Sequence, residues 1–353
     1  MIEHIQYLRP FVQKVDNRST EDFHGISHRF EFSGLQAYAG QFDGSIVGYL
    51  ENHSDVDLIQ SDFVSCPASL IKQERAGFAL DLISHRSGRF TSQYLYDNSA
   101  GEGTYAYVID SGIFIDHADL EGRASLGYNA VPDTTFQDST GHGTHIAGII
   151  GSKTYGVAKK CNLIAVKVLE GEKTNNAILL DGILWAIKDV VRKGRQATAV
   201  INVSVTGEHN PIIDRFVDKA FARGVSIVAA AGNSDVKAST MSPGSADGAL
   251  TVAATNLMRE RGRFSNYGRC VNMFAPGVGI TSTSIGNRYA TQMRTGTSQA
   301  AAYVAGLILY HKRLHALPDA RTTMTHIMQL ALRGVVRNSK ASGNLFAYNG
   351  SGG

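Results

Sequence analysis

The sequence has few cysteines and no long apolar segment. Its three cysteines, Cys66, Cys161 and Cys270, are scattered and form no CxxC pair, which argues against a disulfide framework and a cysteine-based zinc site. We expect them to be unpaired thiols. The longest apolar stretches, such as residues 225–231, are far shorter than the roughly 20 residues that a membrane span needs. Neither a transmembrane helix nor a membrane partner is therefore predicted.

The sequence also lacks a strong excess of either charge and a recognisable export signal. Its 34 basic and 31 acidic residues give a net charge of +3, with no basic run beyond pairs such as Lys159-Lys160, so nucleic acid is not an expected partner. The start, MIEHIQYLRP, has no apolar core of a signal peptide. The 353 residues, 43% of them hydrophobic, suit one large soluble domain and a small one.

The first 65 or so residues have the pattern of a small α+β lobe. Their periodicity predicts two helices and two strands, in the order helix 3–15, strand 28–39, helix 44–52 and strand 57–64. Residues 65–98 mix Pro, Gly, Ser and charges without clear periodicity. We interpret them as a linker and the start of the next domain.

From Gly103 onward, short apolar runs alternate with helical patterns. Four apolar runs predict buried strands: TYAYVID, LIAVKVL, TAVINVSV and VSIVAAA. Two helices are predicted between them, one over 212–222 and one with an apolar face of Leu180, Leu184, Ile187 and Val191. Continuous apolar strands between amphipathic helices indicate a parallel sheet covered on both faces. In such sheets the chemistry lies beyond the carboxyl ends of the strands.

Two candidate residues for proton transfer occur in YVIDSG and GHGTHIAG. Asp110 ends a predicted strand, where a carboxylate either caps the next turn or takes part in catalysis. His142 and His145 begin a predicted helix, but two histidines lack the further ligands of a zinc site. No strand directly precedes the glycines around them, which excludes a dinucleotide-binding fingerprint. His142 is therefore a candidate general base.

Ser298 and Asn233 are candidates for a nucleophile and an oxyanion donor. A serine at a helix N-terminus, as in TGTSQAAAYVAG, is most often a cap, but the same position brings a hydroxyl and a backbone N–H to the positive end of the helix dipole. Asn233 in AAAGN follows a predicted strand, where it either forms a turn or donates its amide to an oxyanion. Position alone does not separate these roles.

Taken together, these stretches resemble a known family. Asp110, His142 and Ser298 follow the chain order of subtilisins. Several segments resemble, in sequence and in order, those of subtilisin-like serine proteases. They are YVIDSG, GHGTHIAG, INVSV, AAAGN, RFSNYG, FAPG and GTS with the following VAG. The ending NLFAYNG is similar to the proteinase K-like secreted fungal branch, which includes keratin-degrading enzymes. The resemblance covers nearly the whole chain.

The resemblance implies a subtilisin-like three-layer α/β fold, with a mainly parallel sheet covered by helices and preceded by a small α+β propeptide lobe. It implies three segments: residues 1–65 would be an inhibitor-type propeptide that lacks the family's first strand, residues 66–98 a processing linker with the start of the mature chain, and residues 99–353 a catalytic domain. The enzyme would be a secreted, glycosylated monomer that cuts its own propeptide between about Asp62 and Arg75. Its partners would be protein and peptide substrates and, as inhibitor, that propeptide.

The resemblance also implies roles for individual residues. Ser298 would attack the peptide bond, His142 would transfer the proton, Asp110 would orient His142, and the Asn233 amide and the Ser298 N–H would hold the oxyanion. Residues of the cleft and of the S1 pocket would bind the substrate: Leu169, Glu170, Gly171, Ser204, Val205, Thr206, Ala230, Ala231 and Gly232. These S1 walls are small and uncharged, which predicts broad specificity with an apolar P1 residue.

Several residues depart from the family pattern. Gln299, Ala302 and Tyr303 replace Met, Pro and His after the serine, and because none supplies a proton we interpret them as lying behind the catalytic residues. Thr206 replaces a Gly and narrows the predicted S1 pocket. A catalytically silent subtilisin fold that binds peptides is the alternative function, which reaction with a fluorophosphonate would test.

No cofactor is expected to be required for catalysis, and calcium would be structural only. The expected site near Asp247, Ala249 and Asn272 is weak, because Asn272 stands where calcium-binding relatives carry an Asp. The disulfide cysteines of the fungal branch have no evident counterparts here.

Overall fold

The structure, a computed structural model, describes residues 25–42, 44–57, 59, 70–88, 90–171 and 173–352. The chain divides into two compact units, Met1–Cys66 and Pro67–Gly353. Of the three cysteines, Cys161 and Cys270 lie in the described part and are free thiols, as expected. None of the described helices is long and apolar enough to cross a bilayer.

The described part of the first unit is a hairpin with one helix. Strands β1 (Gly25–Phe32) and β2 (Leu35–Gln41) pair antiparallel, so the single strand predicted over 28–39 is wrong. The two residues between them, Ser33 and Gly34, have φ of 50° and 84°, the left-handed pair that a tight two-residue hairpin turn needs. Helix α1 (Gly44–Glu51) confirms the helix predicted there. The helix predicted over 3–15 lies outside the described residues, and so does most of the strand predicted over 57–64.

The second unit begins with structure where the sequence suggested a linker. Strand β3 (Leu70–Glu74), helix α2 (Phe78–Ser84) and strand β4 (Gln93–Asp97) precede the large sheet. The buried carboxylate of Asp81 accepts hydrogen bonds from the backbone of Thr91 and Gln93 at 2.7 and 3.1 Å, which ties the loop before β4 to α2. A helix of seven residues is too short to show a clear period in the sequence.

In the described residues the large sheet has nine strands, eight of them consecutive and parallel. The neighbours in order are β6 (Ala124–Asn129), β7 (Asn162–Lys167), β5 (Tyr105–Asp110), β8 (Ala199–Val203), β10 (Ser226–Ala230), β12 (Ala249–Thr255), β13 (Met273–Pro276), β17 (Leu345–Phe346) and β16 (Leu332–Arg333). β17 is parallel to β13, and only the short β16 runs antiparallel to its neighbour. The four strands predicted from apolar runs, β5, β7, β8 and β10, are confirmed.

Helices cover both faces of this sheet and give the predicted three-layer fold. One face carries α3 (His142–Gly151) and α6 (Thr297–Leu314), and the other carries α4 (Asn176–Arg192) and α5 (Pro211–Ala222). α7 (Ala320–Leu330) follows α6. Two short antiparallel pairs complete the unit, β9 (Gly207–Glu208) with β11 (Met241–Ser242) and β14 (Ile280–Thr283) with β15 (Thr291–Arg294).

The buried face of α4 differs from the predicted one by a small rotation. Its fully buried apolar residues are Leu179, Ile183, Ala186 and Val190. The predicted residues Leu180, Leu184, Ile187 and Val191 are only half-buried and flank that stripe. Both sets have helical spacing, so the sequence alone did not distinguish the centre of the stripe from its edge.

Candidate active site

The candidate site lies at the carboxyl edge of the parallel sheet. Asp110 is the last residue of β5, which is paired with β7 on one side and β8 on the other. Ser204 directly follows β8, and Asn233 lies three residues beyond β10. Parallel strands end at the same edge, which is why residues far apart in the sequence come together here.

Asp110 and His142 form a close pair. Asp110 is fully buried, and its two carboxylate oxygens lie 2.7 and 2.9 Å from Nδ1 of His142. The carboxylate also accepts a hydrogen bond from the backbone N–H of Ser111 at 2.8 Å, so it has the local turn contact expected of a cap as well. Because Nδ1 donates to Asp110, the other ring nitrogen, Nε2, is left with its lone pair free to accept a proton.

The start of α3 holds His142 in this position. Asp138 accepts hydrogen bonds from the backbone N–H groups of Gly141 and Thr144, both at 2.9 Å, and so satisfies the free donors of the first helical turn. Gly143 permits the close approach of α3 to β5, because a Cβ at this position would lie 2.1 Å from the carbonyl oxygen of Gly112 and 3.1 Å from the Asp110 side chain.

The electrostatic surroundings favour the protonated form of His142. Burial lowers the pKa of this imidazole, but the charge of Asp110 and its hydrogen bond outweigh burial, so the pKa is raised above its usual value. The guanidinium of Arg294 opposes this rise. The pair therefore stabilises the imidazolium that forms when His142 accepts a proton.

Ser298 lies in the first turn of α6 but does not cap it. The N-cap position is occupied by Gly296, and the Ser298 hydroxyl donates to the backbone carbonyl of Ser204 at 3.0 Å instead of to His142. The side chain is mostly buried, at 7% exposed. The cap interpretation is therefore wrong, and the hydroxyl is held at the edge of the pocket next to the segment that follows β8.

Asn233 has a fixed orientation. Its side-chain oxygen accepts from both the backbone N–H and the hydroxyl of Thr297, each at 2.9 Å, while the same hydroxyl accepts from the N–H of Gly232 at 3.0 Å. With the oxygen engaged in this way, the amide NH₂ is left to donate towards the pocket. Thr297 was not singled out in the sequence, because its role depends on the contact between the loop after β10 and the start of α6.

One pocket of about 300 Å³ brings these groups together. Its lining residues are His142, Asn233, Arg294, Thr295, Gly296, Ser298 and Gln299. Gln299 thus lies nearer to the reacting groups than the sequence analysis expected, whereas Ala302 and Tyr303 are buried in the core. Arg294 was missed as well. Its guanidinium donates to the carbonyl of Thr140 at 2.6 Å, which brings a cation beside the His142 loop.

The other predicted site residues have varied surroundings. Leu169 and Val205 are each 9% exposed, Thr206 is half-buried, and Ala230, Ala231 and Gly232 are buried. Glu170 is exposed and forms an ion pair with the buried Lys167 at 2.7 Å, and the neighbouring Gly171 has φ of +59°. These residues follow β7, β8 or β10, at the same edge as the pocket.

The predicted calcium residues do not fit a calcium ion. The amide oxygen of Asn272 accepts a hydrogen bond from the backbone N–H of Thr251 at 2.7 Å. Asp247 is then the only formal anion of the proposed set, which also contains Ala249, whereas calcium takes six to eight oxygen ligands, usually with several carboxylates.

The sequence is similar to a known protein family. The sequence model of the Subtilase family matches residues 101–351. Alkaline protease 1 of Emericella nidulans is 45% identical over 331 residues, which cover 94% of this chain and 82% of the relative. The alkaline proteinase of Hapsidospora chrysogena is 41% identical, covering 96% of this chain and 86% of the relative.

A solved structure shows the same fold. The crystal structure of a cold adapted subtilisin-like serine proteinase superposes with a TM-score of 0.73 at 32% identity, covering 78% of this chain and 99% of that one. The family match, the similar relatives and this shared fold together show that the chain belongs to the subtilase family and is a subtilisin-like serine endopeptidase.

Proposed function

We propose that Ser298, His142 and Asp110 are the catalytic triad of this endopeptidase, with the Asn233 amide and the Ser298 N–H as oxyanion donors. The observation that carries the proposal is the contact of His142 Nδ1, which donates to the buried Asp110, with the two carboxylate oxygens at 2.7 and 2.9 Å. His142 also lines one pocket with Ser298 and Asn233. A structural histidine would need no serine and no amide donor beside it. Catalysis in this family needs no cofactor.

The reaction begins with a rotation of the Ser298 side chain. Its hydroxyl leaves the Ser204 carbonyl and turns to Nε2 of His142, which takes the proton as the oxygen attacks the peptide carbonyl. The negative oxygen that forms accepts hydrogen bonds from the Asn233 amide and the Ser298 N–H, a group that α6 leaves without an intrahelical acceptor. His142 then gives the proton to the leaving amine, and water releases the acyl group by the reverse sequence.

Asp110 acts through His142. It keeps the proton on Nδ1, holds the ring in plane with the attacking oxygen, and stabilises the imidazolium, as the raised pKa of His142 indicates. Thr297 acts through Asn233 in the same way, since it fixes which end of the amide faces the pocket.

Substrate selection would follow from the cleft. Strand-like pairing of the substrate with residues 169–171 and with residues 204–206 would use main-chain hydrogen bonds and so favours broad specificity. Small residues at Ala230, Ala231 and Gly232 support an uncharged P1 residue, and Thr206 adds volume to that pocket. We propose a preference for Leu over Phe at P1, which Thr206→Gly reverses in a peptide-library profile.

We also propose that the chain is made as a secreted zymogen. The Subtilase family model begins only at residue 101. The alignment with the Emericella nidulans protease, by contrast, covers 94% of this chain. Because the unmatched 6% is much shorter than the N-terminal unit, the alignment includes most of that unit. This supports an inhibitory propeptide that is released by cleavage. Because β3 pairs with β4, a cut N-terminal to Leu70 would leave that hairpin intact. Digestion of keratin is a further proposal, which rests on the fungal resemblance alone.

Fluorophosphonate labelling tests the catalytic assignment. The wild type and Ser125→Ala, which removes an exposed serine of the same unit, should label, whereas Ser298→Ala should not. Expressed without other proteases, Ser298→Ala should also remain a single uncut chain, and N-terminal sequencing of the wild type should give a mature start before Leu70. Labelling of Ser298→Ala would refute the assignment of the nucleophile, and a wild type that neither labels nor cleaves peptides would support the silent peptide-binding alternative.

A further inference from the structure

A group of three histidines lies outside the active-site pocket, where α6 ends and α7 packs beside it. His311 is in the last turn of α6, His315 is the residue that follows this helix, and His326 is on α7. One side-chain nitrogen from each lies within 4.8 Å of those of the other two. Neither the proposed triad nor the oxyanion donors use these residues.

The spacing of two of these nitrogens matches that of ligands around one metal ion. Nε2 of His326 and Nδ1 of His311 are 3.2 Å apart. Two nitrogens at the usual zinc distance of about 2.0–2.1 Å, in a tetrahedral arrangement, lie about 3.3 Å from each other. His315 is one helical turn after His311, the i, i+4 spacing at which two imidazoles share a metal on one helix face. Its ring centroid is 4.7 Å from that of His326, within reach of the same ion.

Hydrogen bonding among the three rings leaves the cluster unsatisfied. Two neutral imidazoles can share one hydrogen bond, which is the contact between His326 and His311, but the group contains no carboxylate that could accept from the others. The cluster contact uses Nδ1 of His311, and the whole residue is buried, at 2% exposed. Three neutral rings with converging lone pairs are poor partners for one another and good ligands for a cation.

The local electrostatics agree with this chemistry. An imidazole ring binds a metal ion in its neutral form, through the lone pair of one nitrogen. His311 is in the last turn of α6 and His315 directly follows it, where the free carbonyl groups give the helix dipole its negative pole.

We propose that His311, His315 and His326 form a site for a divalent transition-metal ion, with Zn²⁺ as the expected ion, which clamps the end of α6 to α7. Three imidazoles are a ligand set that zinc and copper favour over calcium or magnesium, and the fourth position is left for water. Thirteen residues of α6, about 20 Å at 1.5 Å per residue, separate His311 from Ser298. The site is therefore structural and does not take part in peptide hydrolysis.

Equilibrium dialysis against Zn²⁺ tests the proposal directly. The full protein is expressed without a histidine tag and blocked with a serine-directed inhibitor, which prevents autolysis and occupies the active-site pocket. The wild type should bind one Zn²⁺ per chain at this site. His315→Ala, which removes an exposed side chain, and His326→Gln should each weaken that binding at least about tenfold, since even outer-shell partners of metal ligands contribute 10- to 100-fold.

His209→Ala is the matched control, because it removes another exposed histidine of the same unit and should leave zinc binding unchanged. Co²⁺ should give the visible bands of tetrahedral coordination in the wild type and the control but not in the cluster variants. Zinc should also raise the Tm of the wild type by a few degrees at a hundredfold excess over its dissociation constant. A wild type that binds no zinc, or binding that both cluster variants retain, would overturn the proposal.

Discussion

The two ends of α6 present histidines in opposite electrostatic states. At the N-terminal end, His142 lies in the pocket with Ser298, and the buried Asp110 raises its pKa. At the C-terminal end, the group of His311, His315 and His326 contains no carboxylate among the described residues, and burial lowers the pKa of each ring. Burial alone favours the neutral ring at both ends. A single carboxylate in contact therefore decides whether a buried histidine is suited to accept a proton or to bind a metal ion.

The same contrast occurs within one turn of α3. His145 lies three residues after His142 and is fully buried, but its ring nitrogen Nε2 is shared by the carbonyl oxygens of Ile280 and Gln292, at 3.1 and 3.0 Å. Burial lowers its pKa to about 4 in spite of these contacts. Neutral acceptors thus fix the tautomer of His145 but stabilise its charge much less than the carboxylate of Asp110 stabilises that of His142.

Removal of the carboxylate should have the largest effect. Asp110→Asn keeps the size of the side chain but loses its charge and allows the wrong tautomer of His142, for which kcat falls about 10⁴-fold in a related triad. The pKa of His142 should fall, so the acid limb of kcat/KM should move to lower pH. Rates for a peptide substrate across pH measure both effects, with Asp181→Asn, an exposed aspartate on α4, as control. An acid limb that does not move would show that Asp110 does not set this pKa.

Loss of the oxyanion donor should have the next largest effect. Asn233→Ala should lower kcat about 10²- to 10³-fold, a magnitude measured on a subtilisin, with little change in KM because the interaction forms in the transition state. Thr297→Val should give a smaller loss of kcat, because the backbone N–H of residue 297 still holds the Asn233 oxygen. Steady-state kinetics separate these cases. Equal kcat for wild type and Asn233→Ala would exclude the amide as a donor.

His145 should make the fold sensitive to acid. Its pKa is about 4 in the folded state and about 6.5 when unfolded, so its contribution to stability is fully present above pH 6.5 and is lost as pH falls towards 4. This difference corresponds to roughly 3 kcal/mol of unfolding free energy. His145→Gln should therefore lose less stability than the wild type between pH 7 and pH 4.5, as measured by urea unfolding of inhibitor-blocked protein. Equal losses in the two proteins would contradict the low pKa.

The sequence predicted those features that depend on local pattern. Apolar runs identified β5, β7, β8 and β10, and motif spacing singled out Asp110, His142, Asn233 and Ser298, which the structure brings to one edge of the sheet. The prediction failed where the sequence pattern was weak or was compatible with two structures. The turn at Ser33-Gly34 was absorbed into one strand, and two adjacent apolar stripes of α4 were not distinguished.

Residues whose role depends on tertiary contacts could not be predicted. Thr297 matters because a loop after β10 approaches the start of α6, and His326 reaches His311 only because α7 packs back on α6. The i, i+4 pair of His311 and His315 was visible in the sequence, but its third member lies eleven residues further on, across a turn. Arg294 is likewise ordinary in sequence and becomes relevant only through its distance from the His142 loop.

Arg294 allows the smallest and sharpest test of the electrostatic contrast. Its guanidinium lines the pocket and lowers the pKa of His142, opposing the larger effect of Asp110. Arg294→Gln removes the positive charge, so the pKa of His142 should rise further and the acid limb of kcat/KM should move to higher pH, opposite in direction to the Asp110→Asn shift and smaller.

Arg294→Lys separates charge from contact in the same experiment. It retains the charge but not the forked hydrogen bonds to Thr140 and Gln292, so its acid limb should stay near that of the wild type. Because the pocket is open to solvent, added salt should screen the charge of Arg294. The acid limbs of the kcat/KM profiles of wild type and Arg294→Gln should therefore lie closer together at high salt. If Arg294→Lys shifted the limb as far as Arg294→Gln does, the hydrogen bonds of Arg294 rather than its charge would tune His142.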